Sequence, residues 1–403
     1  MDHGPFFSLQ KQKVAEGQRM LAATSRALLR RFESHLQQVL SGASDSAVLE
    51  PLLFAYFTAL KSGKSPVGIA QLLLGYMDPA SWPEVIEVHT DSRGRIYLPR
   101  IGYFLTHVRD RRLTLRCHGA GRRFTLEDAG SPVEFSFEEI QLLPGTSIEL
   151  CRYGNPLYGS LLSEAAQKQR TVEFVEDTSP YVGNIRLALA VIEQHLPDFY
   201  ADLCSTVRQI VLFRSRDLNS CATLGAHGVA FLNVVDYGNE VFFIDDLVHQ
   251  CGHVIFNAFT AKRTDFCATD PETPFSRFSS NKSDKRSLYT VLHGAYTEFA
   301  MIACLLSCDN QRVFSGQSGY ELIGRLACIF QRSLGDMKNL GHPGLFTEQG
   351  QNLYDTFRRF SEEVRESRPD LLDYKLTNQP YNFSYELFLE LNPQGGRPSA
   401  LTA

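Results

Sequence analysis

Two histidines four residues apart, His249 and His253, stand in the run Leu247-Val248-His249-Gln250-Cys251-Gly252-His253-Val254-Ile255-Phe256. On a helix, positions four apart lie one turn above each other on one face, so both imidazoles can grip a single metal ion. The surrounding pattern predicts that helix: Asp245 and Asp246 fall in its first turn, and Leu247, Val248, Val254 and Ile255 give it an apolar face. A zinc peptidase built on such a pair carries glutamate at the second position, the base that deprotonates the metal-bound water. Here that position is Gln250, whose amide cannot accept the proton. The metal grip is present without the hydrolytic base.

With 11 histidines in 403 residues, this spacing is expected by chance about 0.3 times, so the pair needs support. A third histidine, His293, lies in Leu288-Tyr289-Thr290-Val291-Leu292-His293-Gly294-Ala295-Tyr296, which reads as a helix continuing through Glu298 to Leu306. Two histidines from one helix and a third ligand from a later one is a common construction of mononuclear sites. The third ligand has two candidates. Glu298 follows His293 by five residues, roughly 140° around a helix, so one face does not present both. Glu298 would complete a zinc-peptidase-like set or a two-histidine, one-carboxylate triad; His293 would give three imidazoles. Zinc, iron and copper all accept imidazole, so the ligands alone do not choose the metal.

The segment from Leu247 to Tyr296 resembles the HExxH-type 2-oxoglutarate-dependent peptide β-hydroxylases, enzymes of ribosomal natural-product pathways. Their pattern is a Leu-Val-His-Glu-x-x-His helix followed by Asp-Pro-Arg-Pro-Leu-x-x-Val-Leu-His-Gly-x-Tyr. This chain has Leu247-Val248-His249-Gln250-Cys251-Gly252-His253 and then Asp284-Lys285-Arg286-Ser287-Leu288-Tyr289-Thr290-Val291-Leu292-His293-Gly294-Ala295-Tyr296. The likeness extends more loosely over residues 140–330. Ala188 to Asp198 matches a helix, and Ile210-Val211-Leu212-Phe213 and Gly228 to Leu232 match strands before the metal helix. Gln250 replaces the family glutamate, and Lys285 and Ser287 replace prolines. Between the helices stands Thr269-Asp270-Pro271-Glu272-Thr273-Pro274-Phe275-Ser276-Arg277-Phe278 in place of the expected aromatic segment.

The resemblance implies Fe(II) held by His249, His253 and His293, 2-oxoglutarate as cosubstrate, and oxidation of an unactivated carbon in a peptide or amino-acid-derived substrate, carrier- or leader-bound in some pathways. Such an enzyme needs a cation for the distal carboxylate of 2-oxoglutarate. If the helix of His293 reaches back to Arg286, seven residues span two turns, about 10 Å, on nearly one face, and a planar guanidinium suits a carboxylate. The bland alternative puts Arg286 in a solvated basic cluster with Lys282 and Lys285, on a helix capped by Asp284; Arg277 is the reserve cation. Under this chemistry Gln250 is no defect, because no water needs deprotonating, and its amide can hold a group beside the metal. Two rivals stand beside it: a zincin-like hydrolase with another base, and a silent binding protein on the same fold. Cys251 leaves the helix on another face, and Cys304 and Cys308 sit among apolar neighbours, so packing is their default role.

The elements that must position these residues read as α+β, mostly helical: a zincin-like metal-helix core, an N-terminal helical region and a small β-rich module. The expected blocks are 1–80, 81–158, 159–390 and a turn-rich, disordered tail at 391–403. Helices are expected from Leu9 to Leu40, Val48 to Leu60, Val67 to Met77 and Gln349 to Ser367. Strands are expected at Val85–His89, Ile96–Leu98, Phe104–Val108, Leu113–Cys117, Arg123–Leu126 and Ser147–Leu150. The net charge of −5 gives no nucleic-acid footprint, and Arg109 to Arg116 with Arg122 and Arg123 reads as the solvated face of a hairpin. Nine cysteines without a spacing framework and no signal peptide predict a reducing, cytoplasmic setting, and no apolar run predicts a membrane span.

Overall fold

The computed structural model describes residues 4–32, 44–61, 63, 67–118, 123–165, 172–235, 239–279 and 281–393. The chain opens with helix α1 (Gly4–Phe32), followed by α2 (Asp45–Val48), α3 (Pro51–Lys61) and α4 (Ile69–Leu73). Strands β1 (Val85–His89), β2 (Arg95–Leu98), β3 (Gly102–Thr106), β4 (Arg112–His118), β5 (Arg123–Asp128), β6 (Ser131–Val133), β7 (Phe135–Glu139) and β8 (Glu149–Leu150) come next. Then come α5 (Pro156–Ala165), β9 (Glu173–Phe174), α6 (Ser179–His195), α7 (Pro197–Thr206), β10 (Gln209–Arg214) and β11 (Val229–Asn233). The rest is helical: α8 (Glu240–Phe259), α9 (Leu288–Asn310), α10 (Gly316–Leu340), α11 (Glu348–Ser367) and α12 (Tyr385–Leu391). The fold is α+β with helix well ahead of strand, 55% against 16%.

Contacts divide the chain into two units, each drawing on segments distant in sequence rather than on consecutive blocks. One comprises residues 1–17, 181–203 and 237–403; the other comprises 18–180 and 204–236. The second unit holds every described strand. In it β1 and β4 alternate buried and exposed positions, and Ile86, Val88, Leu113 and Leu115 face a core shared with Ile96, Leu98 and Phe104. β10 and β11 pair in parallel and are buried almost throughout, which explains their unbroken apolar runs. Gly228 stands outside β11 because its φ of +98° is a left-handed turn into the strand. β6 and β7 are strands that the alternation does not reveal, since Pro132, Glu138 and Glu139 interrupt it. Of the basic hairpin, β4 and β5 form as expected; Arg122 lies outside the described residues.

The first unit is helical. Phe6 and Phe7 of α1 pack on Phe299, Phe357 and Phe199, so the helix begins five residues earlier than its apolar pattern implies. Residues 33–40 of the expected first helix and 394–403 of the expected tail lie outside the described residues. The expected helix from Ala188 to Asp198 is broken at Leu196, where α6 gives way to Pro197 of α7. Helix α8, which carries His249 and His253, also begins earlier than expected, because the Asn239 side chain accepts a hydrogen bond from Val241 N and caps it there. Asp245 and Asp246 therefore sit in its second turn. Asp245 accepts from Arg325 of α10 at 2.9 Å, Arg325 also pairs with Glu321, and Asn239 donates to Glu321 at 2.7 Å. That buried chain of ions fixes the start of α8 against α10. Helix α9 is long and apolar enough to cross a membrane, but 78% of that window is buried in protein.

Candidate metal centre

The site residues come from α8 and α9, which approach closely at Gly252. A Cβ there would meet Thr297 Cγ2 at 3.2 Å, so a larger residue would push the helices apart. Phe256, one turn beyond Gly252, packs against Tyr289, His293 and Tyr296 of α9 with ring centroids 6.1, 4.8 and 4.8 Å away. Those three residues form one stripe of α9, and Phe256 wedges against it.

This packing brings the three predicted histidines together. The rings of His249 and His253 lie 4.8 Å apart, and those of His253 and His293 4.5 Å apart. All three are half-buried. Burial, then Arg332 and His293, push the His249 imidazole down to about 4. Burial, followed by the neighbouring ring, holds His253 and His293 well below the ordinary histidine range. Neutral imidazole is the form that binds a metal.

His293 Nε2 lies 3.2 Å from the carbonyl oxygen of His253. A carbonyl only accepts, so Nε2 carries the proton and Nδ1 bears the lone pair. Ligating histidines commonly use one nitrogen for the metal and the other for such a carbonyl. Among the described residues no three His, Cys, Asp or Glu side chains are already set around one ion-sized point. The donor set itself fits a borderline cation: three neutral imidazoles from two helices, one with its tautomer fixed.

Gln250 is buried and donates through Nε2 to Asp246 Oδ1 at 3.2 Å, while its Oε1 is buried without a hydrogen-bond partner. Glu298 also buries an Oε2 without a partner, and burial, then Asp336, push its carboxyl up to about 8. Its electrostatic neighbours are Asp336, Arg332 and Arg286, and Arg332 also acts on His249.

Arg286 does not lie on the helix of His293. Ser287 caps α9, its hydroxyl accepting from Thr290 N, and Arg286 precedes it. Asp284 does not cap α9; its carboxylate instead accepts from the Arg286 backbone and guanidinium. The other edge of that guanidinium donates to Asp336 of α10 at 2.6 and 2.8 Å. Arg286 is thus a clamp between two aspartates. Arg277 lies in a short 3₁₀ turn (Phe275–Arg277).

Sequence spacing missed Arg332 of α10. Its guanidinium donates to the carbonyls of Tyr381 and Pro380 at 3.2 and 3.5 Å, and to Cys328 Sγ at 3.7 Å, all neutral acceptors. Its field acts on both His249 and Glu298, and Tyr381 lies in the fields of Arg332, Glu298 and Asp246. Nothing in the sequence between 249 and 332 links these positions, because a separate helix supplies the arginine. Cys251, Cys304 and Cys308 are buried thiols, as expected of packing residues. No protein-family model matches the chain, and no curated protein matches it.

Proposed function

We propose that the chain is a non-haem Fe(II), 2-oxoglutarate-dependent oxygenase on a zincin-like helical core. It oxidises an unactivated carbon of a peptide or amino-acid-derived substrate in natural-product biosynthesis. One observation carries this reading: three neutral imidazoles in ring contact across α8 and α9, with an amide where a hydrolase keeps its base. His249 and His253 would hold the metal together with His293, the last through Nδ1, since its Nε2 hydrogen is engaged by the His253 carbonyl. Iron held by these residues would supply the oxidative decarboxylation of 2-oxoglutarate and the oxidising power for the substrate C–H bond.

The chain's own residues divide the remaining work. Arg332 replaces Arg286 as the cation for the distal carboxylate of 2-oxoglutarate, because only neutral groups engage it, whereas two aspartates saturate Arg286. Gln250, tied to Asp246, lines the site with an uncommitted carbonyl oxygen and cannot act as a hydrolytic base. Burial raises the Glu298 carboxyl to about 8, so as a third ligand it would have to give up a proton on meeting the metal, whereas the imidazoles are already neutral.

Anaerobic Fe(II) loading followed by 2-oxoglutarate titration tests the reading, watched for the metal-to-ligand charge-transfer band. The band is expected to saturate. His293→Ala should empty the site and Glu298→Ala should not. Arg332→Ala should weaken 2-oxoglutarate at least ten-fold, the loss of one charge-assisted pair. Iron bound without any band would refute the assignment.

A further inference from the structure

The second unit carries an open groove of about 900 Å³ along strand β7. β7 is the outer strand of the sheet β2-β3-β7: it pairs with β3 on one side, and among the described residues its other backbone edge has no strand partner. Strand alternation puts Phe135, Phe137 and Glu139 in the groove wall. Ser136 and Glu138 face the other way, where Glu138 accepts hydrogen bonds from Arg152 and Tyr153. Phe137 is 43% exposed and Leu142, also in the groove, is 49% exposed. Free edges beside exposed apolar side chains are usually blunted by charge or covered. Arg100 and Arg123 line the same groove, and among the described residues neither forms an ion pair with a carboxylate. Glu139 is the one acidic residue among the described residues of the lining, which balance to net positive with Arg100 and Arg123.

We propose that this groove binds an extended, acidic and apolar segment of a partner polypeptide, which adds as a strand to β7. The strand edge would supply main-chain hydrogen bonds, which fix an extended ligand without regard to its side chains. Phe137 and Leu142 would take its alternate apolar residues, and the two guanidiniums its carboxylates. This inference rests on the second unit alone and is independent of the metal reading.

The probe is a fluorescein-labelled Glu-Phe-Glu-Val-Glu-Phe-Glu peptide followed by fluorescence anisotropy, with a lysine-for-glutamate peptide as control. The acidic peptide should bind saturably, at least ten-fold more tightly than the control, and weaken as salt is raised. Arg123→Glu, at an exposed position, should weaken it at least ten-fold while leaving the thermal melt unchanged; Phe137→Ser, whose ring also packs on buried Phe104 at 5.1 Å, should weaken it as much and lower the melt. N-methylating alternate residues should abolish binding in one register and spare it in the other, because only one set of amides faces β7. Absence of binding, equal binding of the lysine peptide, or equal loss in both N-methyl registers would overturn the proposal. So would sedimentation as a dimer that Phe137→Ser converts to monomer, since the groove would then belong to a second copy.

Discussion

Each unit buries a cluster of ionisable groups, and the two clusters are satisfied in opposite ways. In the second unit the Glu149 carboxyl is closed: Tyr97 and Gln209 donate to Oε2 at 2.5 and 3.4 Å, and Tyr103 donates to Oε1 at 2.9 Å. Both oxygens are used, and Tyr158 completes the ring of contacts by donating to Gln209. In the first unit the groups around the imidazoles are open: Gln250 Oε1, Glu298 Oε2 and Asp245 Oδ1 are buried without partners. Buried polar atoms are ordinarily paired, and each exception asks for a cause. A closed network rigidifies a core. The open one belongs to the unit that holds the three imidazoles and the Arg332 guanidinium, and the proposed oxygenase site rests on it.

The largest test of this contrast removes the packing that holds the open cluster. Phe256→Ala takes away the ring that contacts Tyr289, His293 and Tyr296, and should cost about 3–5 kcal/mol in urea unfolding. It should also loosen metal retention, because His293 loses the neighbour that fixes its ring. A large stability loss with metal retention unchanged would show that the imidazoles are placed by other contacts.

The closed cluster is probed by Glu149→Gln. Burial pushes the Glu149 carboxyl up to about 7, against 4.5 for the free side chain. Between those pH values the folded protein keeps a proton that the unfolded chain has released. Stability therefore falls as pH rises through this window and stays lower above it. A shift of this size corresponds to on the order of 3 kcal/mol. Glu149→Gln abolishes the titration, so the difference in unfolding free energy between variant and wild type should move toward the variant by that amount between pH 4.5 and pH 8. A difference that does not change with pH would mean the carboxyl titrates normally in the fold.

The contrast also explains what the sequence revealed. The three histidines were legible because helical periodicity places His249 and His253 together, and a single helix packing at Gly252 brings in His293. The structure differs over the place of Arg286, off the helix of His293, because two residue types before α9 could cap it. Asp284 has the residue type of a cap, but Ser287 makes the hydrogen bond, which leaves Arg286 off the helix and free to turn toward Asp336. Arg332 carried no signal, since its relation to His249 is made by the packing of α10 and not by spacing. The same holds for β7, whose edge is recognisable only once β3 is paired on its other side.

The smallest expected effect belongs to Gln250→Glu, and it separates the two chemistries most directly. The substitution would supply the residue type that zinc peptidases use as base. Here, however, it falls one turn from Asp246, whose Oδ1 now accepts from the Gln250 amide, at a position only 1% exposed. A second carboxyl placed there loses that hydrogen bond and gains a like-charged neighbour, and both effects keep it protonated. Protonated, it cannot act as a base at neutral pH. The variant is expected to lose about 1 kcal/mol of stability, to gain no peptidase activity on casein or model peptides, and to keep its 2-oxoglutarate charge-transfer band. Peptidase activity appearing in the variant would show that the site is a hydrolase lacking only its base, and would remove the reason for reading its open polar groups as an oxygenase site.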